Sequence, residues 1–166
     1  MLVETIIKDS CTWLNPAPEF FLASLDWFND EADAQEVWPV CLMENVTPGK
    51  PVVTTQGVTE ATYDVTLFFL HNYPANDGED LSHNPQIGSP RHTAVDTMRR
   101  LADDLLQVMV KDSRIYKSSD DIQRPETRAV YNFMDMNLDG VQLTFSLRIR
   151  TVAACFDKHS GPLVIE

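Results

Sequence analysis

The stretch that decides the fold is DMNLDGVQLTFSLRIR, Asp135–Arg150. Its first half has two readings. Asp135, Asn137 and Asp139, followed by Gly140, fall on positions 1, 3, 5 and 6 of an EF-hand calcium loop. Such a loop also needs a bidentate glutamate at position 12 and a helix on each side. Here position 12 is Ser146, which cannot chelate a hard cation as a carboxylate does. Beyond Gly140 the chain alternates: Val141, Leu143, Phe145, Leu147 and Ile149 against Gln142, Thr144, Ser146, Arg148 and Arg150. That period of two belongs to a half-buried strand and not to an exiting helix. Val130, Tyr131 and Phe133 make the preceding segment a strand as well. Asp139-Gly140 between two strands reads as a hairpin turn, with the glycine supplying positive φ and the Asx side chains bonding the turn backbone. The expectation is strand–turn–strand, with no metal site.

Working outward, the segment TEATYDVTLFFL (59–70) repeats the alternation, with Ala61, Tyr63, Val65, Leu67 and Phe69 on one face. Ser89-Pro90 has the N-cap and first-turn residues of a helix. Val95, Met98, Leu101, Ala102, Leu105, Val108 and Met109 then form its core-facing stripe as far as Lys111. Near the start, Leu2, Val3, Ile6, Ile7, Cys11 and Leu14 have helical spacing, closed by Asn15-Pro16 and Pro18. VWPVCLM (37–43) is strand-like, and Pro39 belongs at a sheet edge or a strand start. The state of residues 18–35, apolar and then acidic, is left open by its pattern.

The order helix, strand, strand, helix, strand, strand predicts one α+β domain over residues 1–166. It would hold an antiparallel sheet of about four strands, as two hairpins, with helices packed on one face. A chain of 166 residues can bury enough surface to need no disulfide staples. Cys11, Cys41 and Cys155 lack the tight spacing of a metal site and read as buried or free thiols of a reducing compartment. MLVETIIKDS has neither the positive charge nor the apolar run of a signal peptide, and no stretch is long enough to span a bilayer, so an intracellular protein without membrane contact is expected. A net charge of −12 argues against gripping nucleic acid, which needs clustered cations; Arg99–Arg100 and Arg148/Arg150 are too few and too dispersed.

No chemical constellation emerges. There is no phosphate loop, nucleophile elbow or zincin motif. His71, His83, His92 and His159 are scattered, mostly in or beside loops. Asp103-Asp104 read as a solvated helix face, and Asp120-Asp121 and Asp30, Glu31 and Asp33 as solvated loop charge. The expectation is no enzyme, no catalytic residue, no cofactor and no metal. Three long polar connections, at 44–58, 71–89 and 112–126, are instead the conspicuous feature, since long structureless loops are functional, disordered or ordered by something else. In ENVTPGKPVVTTQGV, prolines stiffen the chain and Val52-Val53 followed by Thr54 could add to an exposed sheet edge. Pro48, Gly49, Pro51, Val52, Val53 and Thr54 are therefore the subunit-interface candidates. The same loop reads equally as a mobile solvent loop.

Three places give the chain a resemblance: FFLASLDWFNDEADAQEVWPVCLMENV (20–46), TYDVTLFFLHNY (62–73) and FMDMNLDGVQLTFSLRIRTVAACFD (133–157). In pattern, though not in invariant residues, it resembles the tail terminator, tail completion and neck (head–tail connector) proteins of tailed bacteriophages. The resemblance implies a non-enzymatic virion protein, assembled in the bacterial host cytoplasm into a homo-oligomeric ring at the neck or tail. Other virion proteins would be its partners, and DNA would pass nearby without specific binding, for which an acidic wall is suited. The long 71–89 loop and the segment beyond Val152 depart from the simplest members. The rival reading is a small-molecule-binding or enzymatic α+β domain using loop residues 71–89, such as Asp77, Asp80 and His83. A toxin or immunity-type partner protein is also compatible with the composition.

Overall fold

The computed structural model describes residues 2–31, 37–44, 51–54, 57–72, 87–115, 122–133 and 138–150. In chain order these form α1 (Leu2–Cys11), β1 (Glu19–Leu22), α2 (Leu25–Glu31), β2 (Val40–Met43), β3 (Pro51–Thr54), β4 (Gly57–Asn72), α3 (Pro90–Met109), β5 (Ile122–Phe133) and β6 (Leu138–Arg150). The class is α+β, as expected. The sheet is larger and mixed: six strands, five of them in the order β1-β2-β4-β6-β5, with β3 pairing β4.

The alternating segments form its centre. β4 and β6 run antiparallel from Glu60 opposite Arg150 to Asn72 opposite Leu138. β2 flanks β4 antiparallel, with Cys41 opposite Phe69, and β5 flanks β6 antiparallel. The expectation of a purely antiparallel sheet fails at β1, which lies parallel to β2 with Phe20 opposite Cys41. Four residues of mixed pattern in an unsettled stretch gave no periodic signal for a strand. Pro39 sits at the start of β2, where its carbonyl accepts from the Glu19 N–H at 3.0 Å.

The helix at Ser89-Pro90 forms as read. The Ser89 Oγ accepts the His92 N–H at 3.2 Å and Pro90 occupies the first turn. Its stripe Val95, Met98, Leu101, Ala102, Leu105 and Met109 is buried. With Val3, Ile6 and Ile7 of α1 it covers Val65, Leu67, Leu143, Phe145 and Leu147 on one face of the sheet. Tyr63 packs against this core partly buried.

The expectation of helices on one face is corrected by α2. A second core gathers Phe28 of α2 with Val40, Leu42, Phe68, Leu70 and Leu138. These strand residues are out of phase with the first core, so they belong to the opposite face. All four residues of β2 are buried for this reason. The sign of it in the sequence is the unbroken apolar run Leu67–Leu70, since a strand covered on both faces loses its alternation. Two loops also prove shorter than read: Pro51–Thr54 of the first is strand β3, and β5 begins at Ile122 inside the third.

Candidate functional site

Asp139 and Gly140 are not in a turn. They lie inside β6, opposite His71 and Leu70, and Gly140 also faces Val130. The hairpin itself exists, but its connection falls between Phe133 and Leu138, so Asp135 and Asn137 lie outside the described residues. Gly88 is the one described glycine with positive φ. Gly140 is required by space instead: a Cβ there would collide with the Phe69 carbonyl oxygen and come within 3.0 Å of the Leu70 Cα.

Asp139 is fully buried, and α3 explains why it can be. Arg91, in the first turn of α3, donates from Nε to Oδ2 at 2.6 Å and from Nη2 to Oδ1 at 2.7 Å. Arg91 Nη2 also donates to the Asn132 Oδ1 at 2.8 Å. The Asn132 N–H, at φ 49°, turns inward to the Asp139 Oδ1 at 3.0 Å. Asparagine is among the few residues that tolerate this left-handed conformation, and here it marks the irregularity between Val130 and Phe133 in β5. The Arg91 guanidinium further stands 6.0 Å from the Tyr131 ring centroid. The carboxylate at position 5 of the would-be calcium loop is thus occupied on both oxygens by protein donors. The sequence reading missed this triad because Arg91 is 48 residues from Asp139.

The remaining candidates are dispersed. His71 is half-buried, with Nδ1 2.7 Å from the Asn72 carbonyl and its ring 6.4 Å from that of Trp38. His92 lies 3.3 Å from Asp96 on α3. Asp77, Asp80, His83, Asp120, Asp121, Cys155 and His159 lie outside the described residues. Asp103 and Asp104 are exposed on α3, as read. Cys11 and Cys41 are both buried and free. The fold brings their thiols into contact, and burial, then the Cys11 neighbour, pushes the Cys41 thiol up. Among the described residues no group of three His, Cys, Asp or Glu side chains could hold a metal ion, and no helix is long and apolar enough to cross a membrane.

Where α1 and α3 end side by side, a groove of about 420 Å³ is lined by Asp9, Ser10, Trp13, Lys111, Asp112 and Arg114. Arg114 is committed there: its Nη1 donates to Asp9 at 2.8 Å and its Nε to Asp112 at 3.0 Å. That guanidinium holds the Asp112 carboxyl below its usual value, and the two aspartates push Arg114 further up. The Ser10 hydroxyl is engaged as well, donating to the Ile6 carbonyl at 2.8 Å.

Of the interface candidates, Pro48 and Gly49 lie outside the described residues. Pro51, Val52, Val53 and Thr54 form β3, whose backbone pairs Gly57–Ala61 of the same chain. This is a correction: Pro51–Thr54 closes a hairpin on its own β4 and is not a free loop. A turn signal at Thr55-Gln56 is weak, which is why the hairpin was missed. β6 lies on one side of β4 and both β2 and β3 lie on the other. β1 and β3 therefore form one edge of the sheet, and β5 the other. No protein-family model and no curated protein matches the chain.

Proposed function

We propose that the chain is a non-enzymatic structural virion protein that forms a homo-oligomeric ring at the neck or tail of a tailed phage, around the DNA channel. The observation that carries this reading is a sheet that, among the described residues, has two unpaired and dissimilar edges, β5 on one side and β1 with β3 on the other. A closed ring of identical copies needs two different patches on each copy, because its contacts are head-to-tail. Strand Pro51–Thr54 stands on one of those edges, so the interface candidates Pro51, Val52, Val53 and Thr54 remain suited to meet a neighbour. An acidic chain of net charge −12 suits a wall past which DNA slides without being held.

The test is made on assembled particles. Images of the virion should show this protein as a ring, with residues 46–58 touching an adjacent copy. A particle that lacks the protein, or a ring in which 46–58 face only solvent, would sink the reading. Mass separates the rival: a cleft protein binds a small molecule as a monomer or dimer, whereas a ring protein assembles or binds other virion proteins.

A further inference from the structure

We propose that the contact between neighbouring copies joins the exposed, arginine-bearing first half of β5 to the outward side of α2 in the next copy, where Trp27, Asp26 and Asp30 receive Arg124 and Arg128; this rests on the ring reading above. The two surfaces are different patches of one copy, since α2 rests on the sheet through Phe28 over β2, β4 and β6 and β5 ends the strand order; a contact between them is head-to-tail.

The receiving surface is built by α2. Ser24 caps the helix by accepting the Trp27 N–H at 3.2 Å. Phe28 is turned inward against Phe21, with ring centroids 5.6 Å apart. That leaves Asp26, Trp27 and Asp30 outward. Asp26 and Asp30 are one turn apart, and Trp27 and Asp30 three residues apart, so all three are neighbours on one helix surface. Trp27 is 49% exposed, and Leu22 at the end of β1 is 45% exposed. An indole flanked by two carboxylates suits a guanidinium: the ring face attracts the cation, and a carboxylate matches the planar fork of arginine.

The donating surface is the first half of β5. Gln123 to Arg128 are exposed at every position, so neither face of the strand is covered by its own chain there. Arg124 has φ 51° and the ladder breaks between Gln123 and Glu126, around Pro125. Such a break spoils an edge for plain strand addition, and Arg128 lines a shallow hollow with Glu126, Gln142 and Thr144.

The occupant is a second copy of this chain, on grounds of charge. Between Lys8 and Lys50 the sequence contains no Lys, Arg or His and only acidic charge, and α2 and β1 belong to that stretch. β5 carries Arg124 and Arg128 against the single acid Glu126. At net charge −12 unspecific self-association is opposed by repulsion. Contact between these two surfaces replaces that repulsion with attraction.

The experiment uses two full-length variants. One reverses the donating edge, Arg124→Asp with Arg128→Glu; aspartate is chosen at 124 because it tolerates positive φ. The other reverses the receiving surface, Asp26→Lys with Asp30→Lys. Sedimentation velocity is run on the wild type, each variant and their equimolar mixture at rising concentration. Each variant alone should self-associate at least about tenfold more weakly than the wild type, since like charges now face each other. The mixture should assemble, because both of its unlike contacts are attractive, and its recovery also shows that both variants are folded. If the wild type assembles and each variant alone does so equally, this interface falls while the ring reading stands. A mixture as monomeric as its parts, beside an assembling wild type, also overturns it. If the wild type is monomeric throughout, imaged rings decide: Trp27 packed on Arg124 or Arg128 of the adjacent copy upholds the contact. A ring with those residues apart overturns the contact alone, and no ring overturns both.

Discussion

Arg91 and Asp139 form a two-pronged ion pair, 2.6 and 2.7 Å long, that ties the first turn of α3 to the second residue of β6 with neither side chain reaching solvent. Burial of two charges is costly, and their mutual attraction repays it only while both are present. Asp139→Ala should cost about 3–5 kcal/mol because it strands a buried guanidinium. Asp139→Leu combined with Arg91→Met should cost clearly less, since no charge is left unpaired. Urea unfolding of Asp139→Ala and of the double variant gives the comparison. A double variant as unstable as Asp139→Ala would show that the cost lies in packing and not in charge.

Gly140 and Gly88 separate two reasons for glycine. At Gly88 a methyl group meets nothing within 4 Å, but φ is +84°, so Gly88→Ala should cost about 1–2 kcal/mol in backbone strain. At Gly140 the added carbon runs into the β4 backbone. Backbone cannot rotate away as a side chain can, so Gly140→Ala should exceed the cost of Gly88→Ala and reach about 3 kcal/mol or more. Chemical denaturation of both variants orders them; equal losses would contradict the close approach of β6 to Phe69.

The two faces of the sheet should respond independently. Leu105→Ala opens the α1–α3 core and should cost about 2–5 kcal/mol, and Phe28→Ala opens the α2 core at about 3–5 kcal/mol. Their clusters share no buried member, so the double variant should be additive within about 0.5 kcal/mol. Asp103→Ala, on the exposed side of α3, should stay within about 0.5 kcal/mol of the wild type. Strong non-additivity would mean that α2 and α3 press on one core.

The Asp112–Arg114 pair sets a small acid dependence. The Asp112 carboxyl is held below its ordinary value of 3.8, so its stabilisation is complete above that pH. It is lost as pH falls through the lower folded value. Because Arg114 is a third exposed, solvent limits the pair to about 0.2–1 kcal/mol. Asp112→Asn should therefore destabilise the protein by that amount at pH 7 and by less at pH 2, because the wild-type carboxyl gives up its charge as pH falls. Thermal melts at both pH values check it; a deficit that persists undiminished in acid would assign the role to the backbone turn, where Asp112 accepts the Arg114 N–H at 2.8 Å.

Where periodicity is carried by neighbouring residues, the sequence alone determined the outcome. The alternation in 61–69 and 141–149, the stripe of α3 with its Ser89 cap, and the apolar face of α1 each follow from local spacing. Together they made the α+β class legible. What tertiary structure decided is what distant residues do to one another. Asp139-Gly140 has the composition of a turn, yet Arg91 takes the carboxylate into the core and Phe69 claims the space beside the glycine. β1 is strand only because β2 offers it a parallel edge, and α2 has a buried side only because Phe68 and Leu70 open a second core beneath it. The surfaces proposed to meet a neighbouring copy are likewise a product of strand order and of how α2 docks on the sheet, which no local pattern contains. A backbone ladder or a buried ion pair is formed by residues tens of positions apart, so its energy appears only once the chain has closed on itself.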